Sequence, residues 1–449
     1  MDHLPSFGKA ISQVMLPTFK AYAPLLSQHA GSIKSTRRET FSYGPHPRQQ
    51  LDVYTPSSSP PASSPSGEGG GGGGRSITTA NPNSVFIFLY GGGFVNGAKI
   101  LPNYPKEGQE SLVYANLGHF FAENLALKTV IVDYRLISHG AKFPSGGHDL
   151  ELAIDWVVDN LDLNHDRNHN HNHNHNSNSP REQHEHAPLD LYVMGNSAGG
   201  VHLATYLLAP DFAESRRRLL KPSLTPAPAP TLGTSSRSNT GSSSGTRAAD
   251  GKPNTSTNAS LKGVIFLSVP FHFDRALPER KNTLATYYGD HDDAVSTRSP
   301  LGLLRAAKRS KSPVGDGSGS SSTSGSGSGS GSGSAIIDDV NDLAANISVL
   351  VLKGSLDPED EILGPITDFV DEWQGHAQEQ ENTEGKDVEA GLGRNTTATT
   401  TSSKLQLECL PGQHNHISPV LSLGTRIPAE EAWGRRVVDF VATTSTSRS

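Results

Sequence analysis

Cysteine is almost missing from this chain: Cys409 is the single one in 449 residues. One thiol excludes an internal disulfide and fits a reducing compartment. Long apolar runs are missing as well. The longest, Gly263 to Pro270, is far short of the roughly 20 residues that span a bilayer. The opening Met-Asp-His-Leu-Pro lacks the basic start, apolar run and small-residue cleavage site of a secretory signal. The closing Ser-Arg-Ser is neither an anchor nor a retention tag. Nor is there an excess of positive charge. A net charge of -7 and a pI near 6.2 give no electrostatic reason to bind nucleic acid or anionic lipid. The expectation is a cytoplasmic protein with no nucleic acid partner and no membrane span.

Apolar and aromatic residues are also scarce, at 34% and 6%, against 46 Gly and 30 Pro. These values describe either a poorly folded chain or an ordinary core that has been diluted. The distribution favours dilution. Five stretches cannot bury anything: the Pro/Ser and polyglycine run at 57–80, the His/Asn tract at 164–186, the Ser/Thr/Pro/Gly region at 222–260, the Gly-Ser repeat at 310–334 and the polar, acidic segment at 375–404. Such compositions do not offset the entropy of ordering the backbone, and they read as expanded surface insertions. What remains is of a size that forms one α/β domain, with a core over about 40–441.

That core alternates short apolar runs with amphipathic segments. Val85 to Leu89, Thr129 to Tyr134, Leu189 to Met194, Val264 to Val269 and Ile347 to Leu352 are mostly continuous and β-branched, the pattern of strands covered on both faces. Leu405 to Leu410 alternates instead. Gly147 to Asn160, the stretch after Glu361 and Glu430 to Val441 carry apolar residues at helical spacing. The repetition predicts an α/β fold with a mostly parallel sheet and helices on both faces. Phe41 to Tyr43 and Leu51 to Tyr54 predict an antiparallel hairpin ahead of it.

The strongest local signal is Gly195-Asn196-Ser197-Ala198-Gly199-Gly200, between the strand ending at Met194 and the helical run Val201 to Leu208. G-x-S-x-G between strand and helix is a nucleophile elbow, a turn too tight for side chains at the flanking glycines. It lifts the Ser hydroxyl clear of the backbone and sets it beside a helix N-terminus that favours negative charge. Upstream, Tyr90-Gly91-Gly92-Gly93-Phe94 follows a strand directly. Consecutive glycines let N–H groups face a cavity with no Cβ in the way, as an oxyanion requires.

These two motifs, with Val132-Asp133-Tyr134-Arg135-Leu136 and Phe143-Pro144 followed by Asp149 and Trp156, resemble the esterase/lipase branch of the α/β-hydrolases. That branch includes carboxylesterases, hormone-sensitive-lipase-like enzymes and kynurenine formamidases. The resemblance spans about Tyr43 to Val441, with the insertions between its blocks. It departs at Tyr90, where hormone-sensitive-lipase-like members usually carry His and type-B carboxylesterases often carry Tyr. It implies an α/β-hydrolase fold and makes Gly92, Gly93 and Ala198 the expected oxyanion donors.

The acid and base of a triad are expected in that order after the Ser. Gly354-Ser355-Leu356-Asp357-Pro358 follows a late strand and is similar to the family's G-x-x-D-P turn, so Asp357 is the expected acid. Asp360 and Glu361 compete and read better as carboxylates at a helix start. After the last strand, His416-Ile417-Ser418 is similar to the family's His-apolar-Ser ending. His416 is the expected base, with His414 as backup, pocket wall or a solvated loop residue.

Other features are set aside. The histidines from His165 to His175 form a compositional tract without ligand geometry, so no metal and no cofactor are expected. Gly69 to Gly74 lacks phosphate-loop context. Cys409 reads as a buried apolar residue of a strand, Asp133 and Arg135 as a structural pair, and Asp149 as a helix-start carboxylate. Phe271, His272 and Phe273 leave acyl-pocket lining and plain packing both open. Three functions follow from the resemblance: a serine hydrolase cleaving a small or medium carboxylic ester, an arylformamidase acting on the amide of N-formylkynurenine, and a catalytically inactive binding protein on the same fold.

Overall fold

The computed structural model describes residues 2–57, 81–101, 111–161, 188–221, 259–309, 343–375 and 404–446. Most of the five expected insertions, with the His tract and the Gly69 to Gly74 run, lies outside these residues.

Eight strands form one sheet in the order β1-β2-β4-β3-β5-β6-β7-β8. β1 (Arg37–Ser42) and β2 (Gln50–Thr55) pair as the expected antiparallel hairpin, and β2 runs antiparallel to β4 (Lys128–Val132). From β4 onward, β3 (Ser84–Leu89), β5 (Leu189–Asn196), β6 (Ala259–Leu267), β7 (Ser348–Lys353) and β8 (Leu405–Cys409) are all parallel. The strand expected over Val264 to Val269 begins earlier and ends earlier. Ala259 and Ser260 pair with Leu189 and Asp190, so the third insertion stops short of them. Ser268, at φ 49°, turns the chain out of the ladder.

Continuous burial follows from alternation across two covered faces. Val85, Ile87 and Leu89 of β3 join one apolar cluster, whereas Phe86, Phe88 and Tyr90 join the other. The first face receives helix α3 (Ser145–Asn160), through Leu150, Ala153, Ile154 and Val157, and helix α4 (Ala198–Leu208). The helical stretch 364–375 adds Ile366, Phe369, Val370 and Trp373 to it. Helix α2 (Ala115–Leu125) and helix α8 (Ala432–Thr446) cover the second face with Leu117, Phe120, Phe121, Trp433, Val437 and Phe440. These are the predicted layers. The core also starts earlier than expected: Tyr22 and Leu26 of helix α1 (Ile11–Gln28) are buried in the second cluster.

Two expectations about single residues are corrected. Cys409 is exposed, because it ends the edge strand β8, where only Leu405 is buried. Asp133 and Arg135 do not pair. Arg135 instead binds Asp149 through Nε and backbone N–H (2.9 and 2.8 Å), and Gln49 donates to the same fully buried carboxylate. Asp149 thus anchors the loop after β4 to α3, with its charge matched by Arg135.

Candidate active site

The site forms where the parallel strands end, the usual place for a ligand in an open α/β sheet. β5 carries the chain into Ser197, which adopts φ 49° and ψ -123° and directly precedes α4. Few non-glycine residues tolerate that region; the strain costs on the order of 1–3 kcal/mol and persists because the surroundings fix it. The flanking glycines follow from packing. A Cβ on Gly195 would stand 2.5 Å from Gly200 Cα, and one on Gly199 would stand 2.4 Å from the carbonyl oxygens of Leu89 and Tyr90. The elbow is therefore wedged between the ends of β3 and β5.

Ser197, Asp357 and His416 come together from three strand ends. His416 Nε2 is 3.0 Å from Ser197 Oγ, and His416 Nδ1 is 3.0 Å from Asp357 Oδ1. The tautomer that suits both contacts donates from Nδ1 to the carboxylate and leaves Nε2 to accept the Ser hydroxyl. Asp357 is fully buried. Its second oxygen accepts from the Ser268 hydroxyl and from Gly354 N–H, both at 2.7 Å. A carboxylate so held cannot rotate away from His416. Ser268 was not expected from sequence. It belongs to no motif, and only the positive φ at the end of β6 aims it at Asp357.

The base loop is fixed in the same way. Asn415 Oδ1 accepts from the N–H groups of Ile417 and Ser418, and its Nδ2 donates to Thr18 of α1. His414 is neither solvated nor part of the cleft wall. It is buried, with Nδ1 3.0 Å from Ser418 Oγ, and burial lowers its pKa. Its carbonyl accepts from Leu356 N–H, which ties the base loop to the acid loop. Alternate residues point oppositely here, so one histidine faces Ser197 and the other faces the interior.

The glycine loop borders Ser197. A Cβ on Gly91 would lie 2.9 Å from Ser197 Cβ. Gly92 and Gly93 have φ 149° and 60°, values a side chain would strain. Both line the cleft with Ser197, and Ala198 lines its inner lobe. Tyr90 supports this loop from beneath. Its hydroxyl donates to Asp133 Oδ1 (2.5 Å) and accepts from Arg48 (2.7 Å), while its ring lies where a Cβ on Gly97 would stand. Burial and the Asp133 charge push its pKa well up, so the phenol stays protonated. Burial likewise raises the pKa of Asp133, against the pull of Arg48 and the Tyr90 hydrogen bond.

The cleft has two lobes that share Ser197. The inner one encloses about 520 Å³, its open mouth included, and is mostly apolar, with Phe94, Pro270, Phe273, Leu284 and Ile362. The three residues left open from sequence divide here. His272 and Phe273 line this lobe, whereas Phe271 is buried against Phe369 with ring centroids 3.9 Å apart. The outer lobe takes Ile11, Met15 and Phe19 from α1. Asp360 and Glu361 stand in the first turn of the helical stretch that begins at Glu359, as expected; Asp360 is exposed there, whereas Glu361 also pairs with Arg280 at the cleft. Among the described residues no cluster of His, Cys, Asp and Glu could hold a metal ion, and no helix is long and apolar enough to cross a membrane.

No protein-family model matches the chain, and no curated protein matches it. Solved structures similar to it include esterase B from Lactobacillus rhamnosis, at 11% identity over 97% of this chain and 96% of that one, with a TM-score of 0.44. An esterase from Thermogutta terrifontis is 14% identical over 91% and 95% of the two chains, with a TM-score of 0.42. The sheet order, the antiparallel β1 and β2 ahead of six parallel strands, and the elbow leading from β5 into α4 identify the fold of this chain as the α/β-hydrolase fold.

Proposed function

We propose that the chain is a serine hydrolase cleaving a carboxylic ester of a small or medium substrate, with Ser197 as nucleophile, His416 as base and Asp357 as its partner. The observation that carries this reading is the unbroken relay from Ser197 Oγ through the His416 ring to a buried carboxylate, each link at 3.0 Å. A buried carboxylate, a histidine and a strained serine at one cleft have no evident structural purpose in common. They suit acyl transfer.

In the first step Ser197 Oγ attacks the ester carbonyl and His416 Nε2 takes its proton. Asp357 stabilises the imidazolium without itself becoming protonated. The N–H groups of Gly92, Gly93 and Ala198 receive the negative oxygen; each such donor is worth about 3 kcal/mol in the transition state. His416 then protonates the departing alcohol, leaving an acyl-Ser197. Water adds by the same route and releases the acid. The reaction as written draws only on side chains and backbone of this chain.

The test is labelling with a fluorophosphonate, followed by mass mapping of the adduct. The expected result is a single adduct on Ser197, absent in Ser197→Ala, with turnover of short esters in that variant reduced by about 10⁴-fold or more. A well-folded wild type that takes no label would replace this reading with that of an inactive binding protein on the same fold.

A further inference from the structure

Arg280 and Glu361 stand where the two lobes of the cleft meet, since both line the inner and the outer lobe with Ser197. Arg280 ends the short helical turn Pro278–Arg280, and Glu361 lies in Glu359–Leu363, the start of the helix that follows the Asp357 loop. Arg280 Nε donates to Glu361 Oε1. The Glu361 side chain is only 7% exposed and that of Arg280 is 34% exposed. The carboxylate is thus sealed and fixed, whereas the guanidinium reaches open space.

Its position is specific. Arg280 Nη1 lies 3.7 Å from where a Cβ on Gly93 would stand, beside the glycine loop. Among the described residues, no acceptor takes a hydrogen bond from Nη1 or Nη2. Arg280 is also the only Lys or Arg among the described residues that line either lobe. A guanidinium held by Nε still presents the edge formed by its two Nη groups, a planar pair of donors that matches a carboxylate. Glu361 fixes the plane of that edge at little cost in side-chain entropy, as a bidentate site requires.

We infer that the acyl group of the substrate carries a carboxylate a few atoms from the scissile carbonyl, bound end-on by Arg280, with Glu361 as the positioning residue. The preferred substrates are then half-esters of short dicarboxylic acids. The placement on the acyl side is part of the inference: Arg280 and Ser197 share the inner lobe with Phe94, Phe273 and Ile362, whereas Glu279 lines only the outer lobe, where it would repel a carboxylate. This inference rests on the ester-hydrolase reading and deepens it.

The experiment compares kcat/KM for monoethyl succinate and ethyl butyrate by titration of released acid, in wild type, Arg280→Met, Arg280→Lys and Glu361→Gln. The quantity read is the ratio of the two values, so a general loss of activity cancels. Wild type favours the half-ester. Arg280→Met lowers the ratio by about tenfold or more, and Arg280→Lys, which keeps charge but not the fork, lowers it less. Glu361→Gln keeps an acceptor for Nε and removes a competing negative charge, so its ratio rises. A purely structural ion pair would move neither ratio. A change below about threefold in both Arg280 variants overturns the inference, since hydrogen bonds to a charged group are worth more than that. If wild type hydrolyses neither ester, fluorophosphonate labelling of Ser197 decides the hydrolase reading separately, and calorimetric binding to Ser197→Ala still decides the carboxylate site. Tighter binding of monoethyl succinate than of ethyl butyrate, lost on adding Arg280→Met, supports it; equal binding overturns it.

Discussion

Ser197, His416 and Asp357 are held in place by neighbouring residues, and the geometry of the site depends on them. Ser268 and Gly354 fix Asp357, Asn415 shapes the base loop, and Tyr90 supports the glycines. His202 is a different case. It lies in α4, buried among Phe94, Tyr134 and Tyr287, with Nδ1 3.2 Å from Tyr287 Oη and Nε2 without a partner among the described residues. Burial lowers its pKa from 6.5 to about 4, only partly opposed by the charge of Asp149. The unfolded chain therefore takes up a proton near pH 6.5 that the folded chain refuses until about pH 4. The stability this residue permits is complete above the unfolded pKa and is lost as pH falls between the two values, by a total on the order of 3 kcal/mol. Burial shifts His414 and His119 in the same direction. His202→Gln, which keeps a polar group but cannot titrate, is expected to flatten the decline. Urea midpoints at pH 7.5 and pH 4.5 check this; parallel losses in wild type and variant would assign the acid sensitivity to other groups.

At the scale of elements, function depends on how closely β3, β5 and α4 approach one another. Gly199 is the contact point, with a would-be Cβ 2.4 Å from two backbone oxygens that cannot swing aside. Gly199→Ala must push α4 off the end of β3, and overpacking of this kind costs about 1–3 kcal/mol. The displacement also moves Ser197 relative to Gly92 and Gly93. The expected outcome is a lower thermal midpoint together with fluorophosphonate labelling slowed by about 10²-fold, since an ångström of misplacement is enough for that. Labelling at the wild-type rate would show that the glycine loop follows the helix. Gly31, by contrast, has open space around it within the helix Ala30–Ser35, so Gly31→Ala serves as the control: the labelling rate should stay unchanged and the thermal midpoint equal or slightly higher.

For the whole molecule, legibility from sequence divided along a physical line. β3, β4 and β5 could be read because strands buried on both faces must be apolar throughout, and the elbow could be read because its two glycines are forced by backbone contacts. Contacts between distant segments left no local trace. Arg280 meets Glu361, Ser268 meets Asp357 and Thr18 meets Asn415 only because separate strand ends converge. Pro17 and Pro24 lie inside α1 and interrupt the usual helical pattern. Cys409 looked buried because it is apolar within a strand, but β8 lies at the edge of the sheet. The insertions pose the remaining question at this scale. Of residues 311–333 all but Lys311, Pro313, Val314, Asp316 and Thr323 are Gly or Ser, and Val314 is the one aliphatic side chain among them. They fall between α6 (Pro300–Arg309), which packs Leu301 and Leu304 on the first face, and Leu343, buried in the same cluster. Both flanks are thus held by their own contacts, and the composition of the connection predicts a contribution of chiefly loop entropy. Cutting it to about a third of its length should favour the folded state by about 1 kcal/mol, because closure cost grows only with the logarithm of length. Deleting 311–333 is therefore expected to leave the labelling rate of Ser197 within about twofold and the thermal midpoint equal or slightly higher. A deletion variant that is folded but unlabelled would mean that this segment reaches the cleft, and one that fails to fold would mean that it packs against the core.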